Sequence, residues 1–236
     1  MARRPANTVE SLTVEGREVP LRFRVNKRAR RLILRVDDDL DGAVVTLPPY
    51  VARAEARRFA EERADWIARR LEKQVPRTLF EDGVAIPVLG VERTIRHTGG
   101  TRRPVVCTDD ELLVAGAVEH LPRRVADWLK AEARRQIEPR ALEMADTIGE
   151  RCRRITIRDT RSRWGSCAHD GGLNFSWRLV LAPLWVLEYV VAHEVAHLAE
   201  HNHSTRFWAV VDRLNGDAER GRAWLGVHGP ALHRYG

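Results

Sequence analysis

Hydrophobic and polar residues alternate between residues 19 and 47. Three apolar sets carry this pattern: Leu21, Phe23 and Val25; Leu32, Leu34 and Val36; and residues 44–47. A period of two places the apolar side chains on one face of a strand, and Asp41-Gly42 is typical of a turn. The pattern predicts a small antiparallel sheet.

The apolar spacing changes to three and four after residue 51. One stripe of apolar side chains then recurs: Ala56, Phe59, Ala60, Ile67 and Leu71. Arginine and glutamate fill the other face, so residues 51–74 are predicted to form one long amphipathic helix that Pro76 ends. Short alternating segments return afterwards and predict four strands, at residues 84–89, 93–97, 105–107 and 111–114.

A second long helical pattern occupies residues 121–148, and Pro139 inside it predicts a kink or a break. An apolar helix is predicted at residues 184–201, directly after Pro183, because proline is tolerated at a helix start. The other predicted elements are strands at 155–157 and 173–177, a polar loop or edge segment at 161–167, a helix at 205–214 capped by Ser204, and a short helix to residue 225 with a loosely held tail.

This mixture of strands and helices predicts an α+β fold. We expect a β-rich region with one long helix at residues 1–118, and a helix-rich region with a small mixed sheet at residues 119–236. One continuous compact unit is the alternative, since no repeat or long linker separates the two regions.

The chain is strongly basic, with a formal net charge of +7 over 236 residues and 37 arginines among its 40 basic residues. Such a balance is compatible with nucleic acid, phosphate or a membrane surface as a partner. Many arginines alternate with acids on helices, which favours a solvated surface instead. Arg28, Arg30 and Arg31 could contact phosphate, but a charged sheet edge that discourages strand pairing is favoured.

Three widely spaced cysteines, at positions 107, 152 and 167, form no C-x-x-C pair, so neither a disulfide framework nor a cysteine metal site is indicated. The N-terminal residues lack the apolar core of a signal peptide. The most apolar run, residues 179–192, contains Pro183 and Glu188 and is too short to cross a bilayer. We therefore expect a cytoplasmic protein without a membrane partner.

The candidate chemistry lies in the helix predicted at residues 184–201. His193 and His197 are four residues apart, so their side chains share one helix face, about 5–6 Å apart at Cβ, and both can reach one cation. Glu194 follows the first histidine and can act as a general base on a water molecule there. This H-E-x-x-H arrangement is typical of zinc hydrolases.

A lone histidine on an apolar helix is usually a core side chain. Here three titratable groups lie on one stripe of a helix that is otherwise built of valine, alanine and leucine. Burying them is costly unless they bind something, so the pattern favours a metal site.

The sequence leaves several choices for the third metal ligand. His203 lies six residues after His197, the count found in the H-E-x-x-H-x-x-G-x-x-H motif, but Glu200 stands in place of the glycine. Asn202, which tolerates the left-handed conformation, is then expected to turn the chain. The alternatives for the third ligand are His201, which would lie off the ligand face of a continuing helix, and a carboxylate from Asp212 or Glu219.

Several short motifs together resemble the YgjP-like, SprT-related metallopeptidase family. They are Ser162-Arg163-Trp164-Gly165-Ser166-Cys167, residues 173–179, Ala182-Pro183, Tyr189-Val190-Val191, the H-E-x-x-H segment, and Asn202-His203-Ser204 with Phe207-Trp208. The resemblance implies a minimal zincin fold, with the active-site helix under a small sheet. It also implies Zn²⁺ as cofactor, with His193, His197 and His203 as its ligands and Glu194 as the base.

The segment before the metal helix is the candidate substrate wall. Residues 161–167 could form an edge strand above the metal that pairs with an extended peptide, or Arg161 and Arg163 could hold a phosphate. Trp164 could line this wall, or fill the core with Trp177.

These observations predict a zinc-dependent metallopeptidase that acts on a peptide or protein substrate. Two alternatives stay open. One is a metal-dependent nucleoside-triphosphate pyrophosphatase, which the arginines near the site would suit. The other is a nucleic-acid-associated, SprT-like protease recruited through its basic N-terminal sheet.

Overall fold

The structure is a computed structural model that describes residues 9–37, 40–72, 76–101, 104–160 and 162–236. The chain divides into two compact units, Met1–Pro76 and Arg77–Gly236. This division lies earlier than the boundary predicted at residue 118. The reason is that the apolar residues of the strands between 85 and 115 share one core with the C-terminal helices.

The first unit is a four-stranded sheet with two helices. Its elements are β1 (Val9–Val14), β2 (Arg17–Val25), β3 (Ile33–Asp37), β4 (Gly42–Leu47), α1 (Arg53–Glu61) and α2 (Ala64–Glu72). The strand order is β1-β2-β4-β3. Apolar side chains from one face of the sheet form a core with Ala56, Ala60, Ile67 and Ala68 of the helices.

The predicted sheet is present but mixed, so the expectation of an antiparallel sheet was wrong for one strand pair. β4 lies between β2 and β3; it is antiparallel to β3 and parallel to β2. Alternation sets which face of a strand is buried, and the register pairs Phe23 with Val45 on the core face. Alternation does not set which strands are neighbours. The sequence therefore did not predict that residues 26–32 lead from β2 past the position of β4 to β3.

One long helix was predicted where the structure has two, although no proline or glycine marks the break. The main-chain N–H of Arg63 donates to the carbonyl of Ala60, three residues back. The carbonyl of Phe59 instead accepts from the Arg63 guanidinium at 3.1 Å, and this guanidinium also lies 3.8 Å from the Phe59 ring centre. The side chain thus replaces the α-helical bond, and α2 begins at Ala64.

The second unit contains two small sheets. The first consists of β5 (Ala85–Val88), β6 (Val91–Gly99), β7 (Val106–Cys107) and β8 (Glu111–Ala115), in the order β5-β6-β8-β7. The second consists of β9 (Arg154–Arg158), β10 (Gly165–Cys167) and β11 (Gly172–Ser176), in the order β10-β11-β9. All the strands predicted between residues 84 and 177 are present, and β10 lies at an edge.

Four α-helices accompany these sheets: α3 (Leu121–Thr147), α4 (Leu184–Ala199), α5 (Thr205–Asn215) and α6 (Ala218–Leu232). Short 3₁₀ turns at Val118–His120 and Trp177–Leu181 precede α3 and α4. No helix among these described residues is long and apolar enough to span a membrane.

Pro139 does not break α3, which continues through it. Proline removes only the hydrogen bond to the carbonyl of Arg135, and both residues lie on the exposed face. The opposite face buries seven apolar side chains, namely Leu121, Val125, Leu129, Ala133, Ile137, Ala141 and Ala145. Packing of this face outweighs the lost bond.

The C-terminal segment is firmly held, so the prediction of a loose tail from residue 226 was wrong. Helix α6 continues to Leu232, and the Arg178 side chain is only 4% exposed. Its guanidinium donates to the carbonyls of Leu232 (3.2 Å) and Tyr235 (2.5 Å) and to the Asp159 carboxylate (3.2 Å). Arg178 therefore holds the C-terminal residues against the 3₁₀ turn before α4 and the end of β9.

Replacing Arg178 with methionine is expected to lower the free energy of unfolding by about 3 kcal/mol, because buried carbonyls that lose their donor cost ~1–3 kcal/mol each. Urea unfolding followed by circular dichroism measures this change. Arg153→Met is the matched control: its side chain is 72% exposed and pairs with Asp170 at the surface. The control should lose less than about 1 kcal/mol, and equal losses for the two variants would contradict this role.

Candidate metal centre

Helix α4 carries His193, Glu194 and His197 through the middle of the second unit. Pro183 precedes its first turn, as predicted. The helix ends at Ala199 rather than at residue 201, because Glu200 adopts an extended conformation (φ −135°, ψ 105°). The carbonyl of Glu200 lies 3.1 Å from Nδ1 of His197. This contact holds the imidazole so that its Nε2 is free to face a ligand.

The chain turns back without a left-handed residue, so the role predicted for Asn202 was wrong. Positive φ among the described non-glycine residues occurs only at Glu15, Asp41 and Leu89. The extended Glu200 leads the chain off the helix, and Ser204 N–H donates to the Asn202 carbonyl at 2.8 Å. Ser204 then caps α5 by accepting from the N–H of Phe207, as predicted.

This turn brings His203 beside the two helix histidines. Nε2 of His203 lies 3.1 Å from Nε2 of His193, and one nitrogen from each of the three rings lies within 4.8 Å of the others. The ring centres are 4.8–5.1 Å apart. Three imidazoles from two segments thus converge on one point.

The floor below the imidazoles is aromatic. The ring of Phe207 is fully buried and lies 4.5–5.0 Å from the centres of all three histidine rings. Tyr189 and Trp208 make edge contacts with His193, at 6.0 and 5.8 Å. These apolar walls fix the ring orientations and offer the histidines no competing acceptor.

The environment of the two helix histidines favours their neutral form. Burial, followed by the charges of His197 and His203, lowers the pKa of His193 to about 4. Burial also lowers the pKa of His197, although the Glu200 carbonyl opposes this effect. Only a neutral imidazole has a lone pair for a cation, so these two pKa shifts favour the protonation state that metal binding needs.

The donor set fits a transition metal. Imidazole nitrogen suits zinc, copper or nickel, and this group contains no carboxylate, which magnesium or calcium would require. Among the described residues, His193, His197 and His203 are the group of His, Cys, Asp and Glu side chains close enough to share an ion. Nδ1 of His193 is buried without a partner among them. A bound cation at the other ring nitrogen would fix this ring instead.

The alternative ligands lie elsewhere. His201 is exposed and its ring lies 4.9 Å from that of His169. Asp212 and Glu219 line a cavity of about 500 Å³ that Trp208 borders, and they are not in the group of side chains close enough to share an ion.

Glu194 lies beside the cluster, and its side chain is buried. Burial raises the pKa of its carboxyl group to about 7, while the charge of Arg163 and a hydrogen bond from the Cys167 backbone lower it. Gly165 makes this packing possible, since a Cβ there would lie 2.6 Å from Oε1 of Glu194. A carboxyl group held this way can accept and release a proton near neutral pH.

The edge strand β10 presents main-chain groups on its open side, and one of them, the Cys167 N–H, donates to Glu194. Bonds from Ser176 N to Trp164 O (2.8 Å) and from Ala168 N to Gly172 O (2.9 Å) set the phase of its pairing with β11. Since alternate residues of an antiparallel pair are bonded, the main-chain groups of Gly165 and Cys167 face away from β11. The Cys167 N–H is taken by Glu194, so the amide and carbonyl of Gly165 and the carbonyl of Cys167 remain. An extended chain could pair there.

A family model described as YgjP-like, metallopeptidase domain, matches residues 30–228 of the 236-residue chain. The chain belongs to the YgjP-like family. It therefore carries a hydrolase domain of the metallopeptidase class, which confirms the resemblance drawn from the motifs. Comparisons with curated proteins and with solved structures give no match.

The predicted substrate-wall residues of this YgjP-like domain have different environments. Arg161 lies outside the described residues. Arg163 is exposed, and its charge acts on Glu194. Trp164 is half-buried and stacks on His233 at 4.6 Å, which favours the packing role over a substrate contact. Burial raises the pKa of the Cys167 thiol to about 11, so it packs as an uncharged side chain.

The sequence assigned no role to three residues that complete the site. Gly165 makes room for Glu194, Phe207 is the floor under the imidazoles, and Glu200 orients His197 through its carbonyl. Gly165 and Phe207 lie in the motifs that carry the resemblance, so their positions were available. Their contacts depend on how β10 and α5 pack on α4, which spacing along the chain does not give.

His203→Ala is expected to weaken metal binding by roughly 100-fold or more, because even residues that only orient a ligand typically contribute 10–100-fold. Zinc or cobalt titration of the metal-stripped protein, with a competing chelator, measures the dissociation constant. His201→Ala, two residues away, is the matched control and should bind like the wild type. If His201→Ala weakened metal binding and His203→Ala did not, the ligand assignment would be incorrect.

Proposed function

We propose that this protein is a zinc-dependent metallopeptidase, with His193, His197 and His203 as ligands and Glu194 as general base. The observation that carries the proposal is the convergence of three imidazoles, on a helix that also holds a buried carboxyl group next to an open strand edge. Three protein ligands with one open position are the arrangement of catalytic rather than structural zinc sites.

A zinc ion bound there would supply Lewis acidity, which polarises a carbonyl group and makes water acidic enough to react near neutral pH. The remaining tasks fall to the chain. Glu194 takes a proton from water and delivers it to the amine nitrogen of the departing peptide. The raised pKa of its carboxyl group suits a residue that must do both.

Substrate placement follows from β10. The amide and carbonyl of Gly165 and the carbonyl of Cys167 can pair with the main chain of an extended peptide, which would bring a peptide bond alongside Glu194. Recognition through main-chain groups depends little on side-chain identity, so we expect broad specificity at these positions. The three free cysteines support a reducing compartment such as the cytoplasm.

The nucleoside-triphosphate alternative has one observation in its favour, the exposed Arg163 beside the site. The donor set counts against it, because triphosphate hydrolysis usually relies on magnesium held by carboxylates. Measuring pyrophosphate and phosphate release from a nucleotide panel separates the two activities.

Glu194→Gln is expected to retain zinc and lose peptide hydrolysis by about 10²–10⁴-fold, the usual contribution of a general base. Cleavage of a mixed-sequence peptide library, read by mass spectrometry, together with zinc content per chain, checks both parts. Glu188→Gln on the same helix, whose carboxylate pairs with Arg140, is the control. Undiminished turnover in Glu194→Gln would rule out this mechanism.

Gly165→Ala is expected to keep the three histidines in place but displace the Glu194 carboxyl group, which the new methyl group would overlap. Peptide hydrolysis should fall at least about tenfold with zinc content unchanged, since a misplaced base loses most of its contribution. Gly226→Ala in α6 is the control, because a Cβ there meets nothing within 4 Å. Loss of zinc together with activity would mean that Gly165 supports the whole centre rather than the base.

A further inference from the structure

The sheet of the first unit has one face that its helices do not cover. Leu21, Phe23 and Leu34 point to the helices, so the intervening residues Arg22, Arg24 and Arg35 point to the other face. The register places Arg22 and Arg35 on either side of Val44, and Arg24 beside Thr46. We call this surface, with the exposed connection at residues 27–31, the cationic face.

The cationic face carries uncompensated charge. Residues 22–35 contain seven arginines and lysines and no acid. The ion pairs of this unit use other arginines: Arg53 and Arg57 pair with Glu10, Arg57 also pairs with Glu61, and Arg63 pairs with Glu62. None of the seven forms an ion pair with a carboxylate in the part of the chain that the structure describes. Arginines that served only to discourage pairing with another strand would not need to be kept apart from acidic residues in this way.

The spacing of these charges suits a row of phosphates. Arg22 and Arg24 are about 7 Å apart along β2, and Arg22 and Arg35 are about 10 Å apart across two strand spacings. The acids of the same face lie towards its other end, where the Glu18 carboxylate accepts from Ser11 and Thr13. Nε of Arg22 is buried without an acceptor among the described residues.

An aromatic ring borders the cationic face. Tyr50 is 76% exposed, and its hydroxyl donates to the Arg30 carbonyl at 3.0 Å, so the ring is held against the connection while remaining open to solvent. Exposed aromatic rings among arginines are the arrangement on which nucleic-acid bases stack.

We propose that the cationic face binds nucleic acid, with arginines on the phosphate backbone and Tyr50 on a base. Guanidinium groups form paired hydrogen bonds with phosphate oxygens, so an arginine-rich surface suits this ligand. The proposal concerns binding by the first unit and does not depend on the peptidase activity proposed for the second.

The test compares two triple variants with the same loss of charge in the full-length Glu194→Gln protein. The first replaces Arg22, Arg24 and Arg35 with glutamine. The second replaces Arg58, Arg69 and Arg70, which are exposed on α1 and α2. Binding of fluorescein-labelled single-stranded and duplex 20-mers is measured by anisotropy at several salt concentrations.

The face variant should bind at least tenfold more weakly than the parent, and its slope of log K against log salt should be shallower by about 2–3, as expected for three lost phosphate contacts. The helix variant should stay within about threefold of the parent. Tyr50→Leu should weaken binding of the single strand more than that of the duplex.

Equal losses in the two triple variants would show that only net charge matters and would overturn the proposal. So would undetectable binding by the parent, or binding only to vesicles containing phosphatidylserine. If the face variant fails to fold by circular dichroism, Arg28→Gln/Arg31→Gln in the exposed connection takes its place, with the same expected direction.

Discussion

The burial of polar groups on α4 is the constraint on which the candidate site depends. Most of the buried side chains of this helix are valine, leucine and alanine, yet His193 and Glu194 lie among them. Polar groups in such a place need partners, and each neighbouring element supplies one. Strand β10 gives a main-chain donor to Glu194, the Glu200 carbonyl meets His197, and the turn after the helix returns His203.

The need to supply these partners explains why particular residues are required in the short segments around the helix. Gly165 has no side chain because the Glu194 carboxyl group occupies that space. Ser204 starts α5 at the point that leaves His203 in the turn and places Phe207 under the rings. Further from the histidines, Arg178 is also buried, and it donates hydrogen bonds to the carbonyls of the C-terminal residues. The centre is thus held by packing on several sides.

Much of the site was readable from the sequence because its information is local. The i, i+4 histidines and Glu194 need only a helix, and Ser204 needs only a cap. The helix end was less readable: Asn202 was expected to turn the chain in a left-handed conformation, whereas an extended Glu200 does so. In the fold, periodicity located the strands but not the insertion of β4 between β2 and β3, and a side-chain bond from Arg63 divided a helix without any breaker residue. Partners distant in sequence, such as Gly165 for Glu194, depend on packing that no local pattern records.

We propose that three histidine nitrogens hold the metal near Glu194. Zinc-edge X-ray absorption spectroscopy of the zinc-loaded protein tests it most directly, because it reports the number and type of ligand atoms. We predict three imidazole nitrogens and one oxygen at about 2.0–2.1 Å, with no sulfur. A first shell containing sulfur, or one with fewer than three imidazoles, would contradict this account.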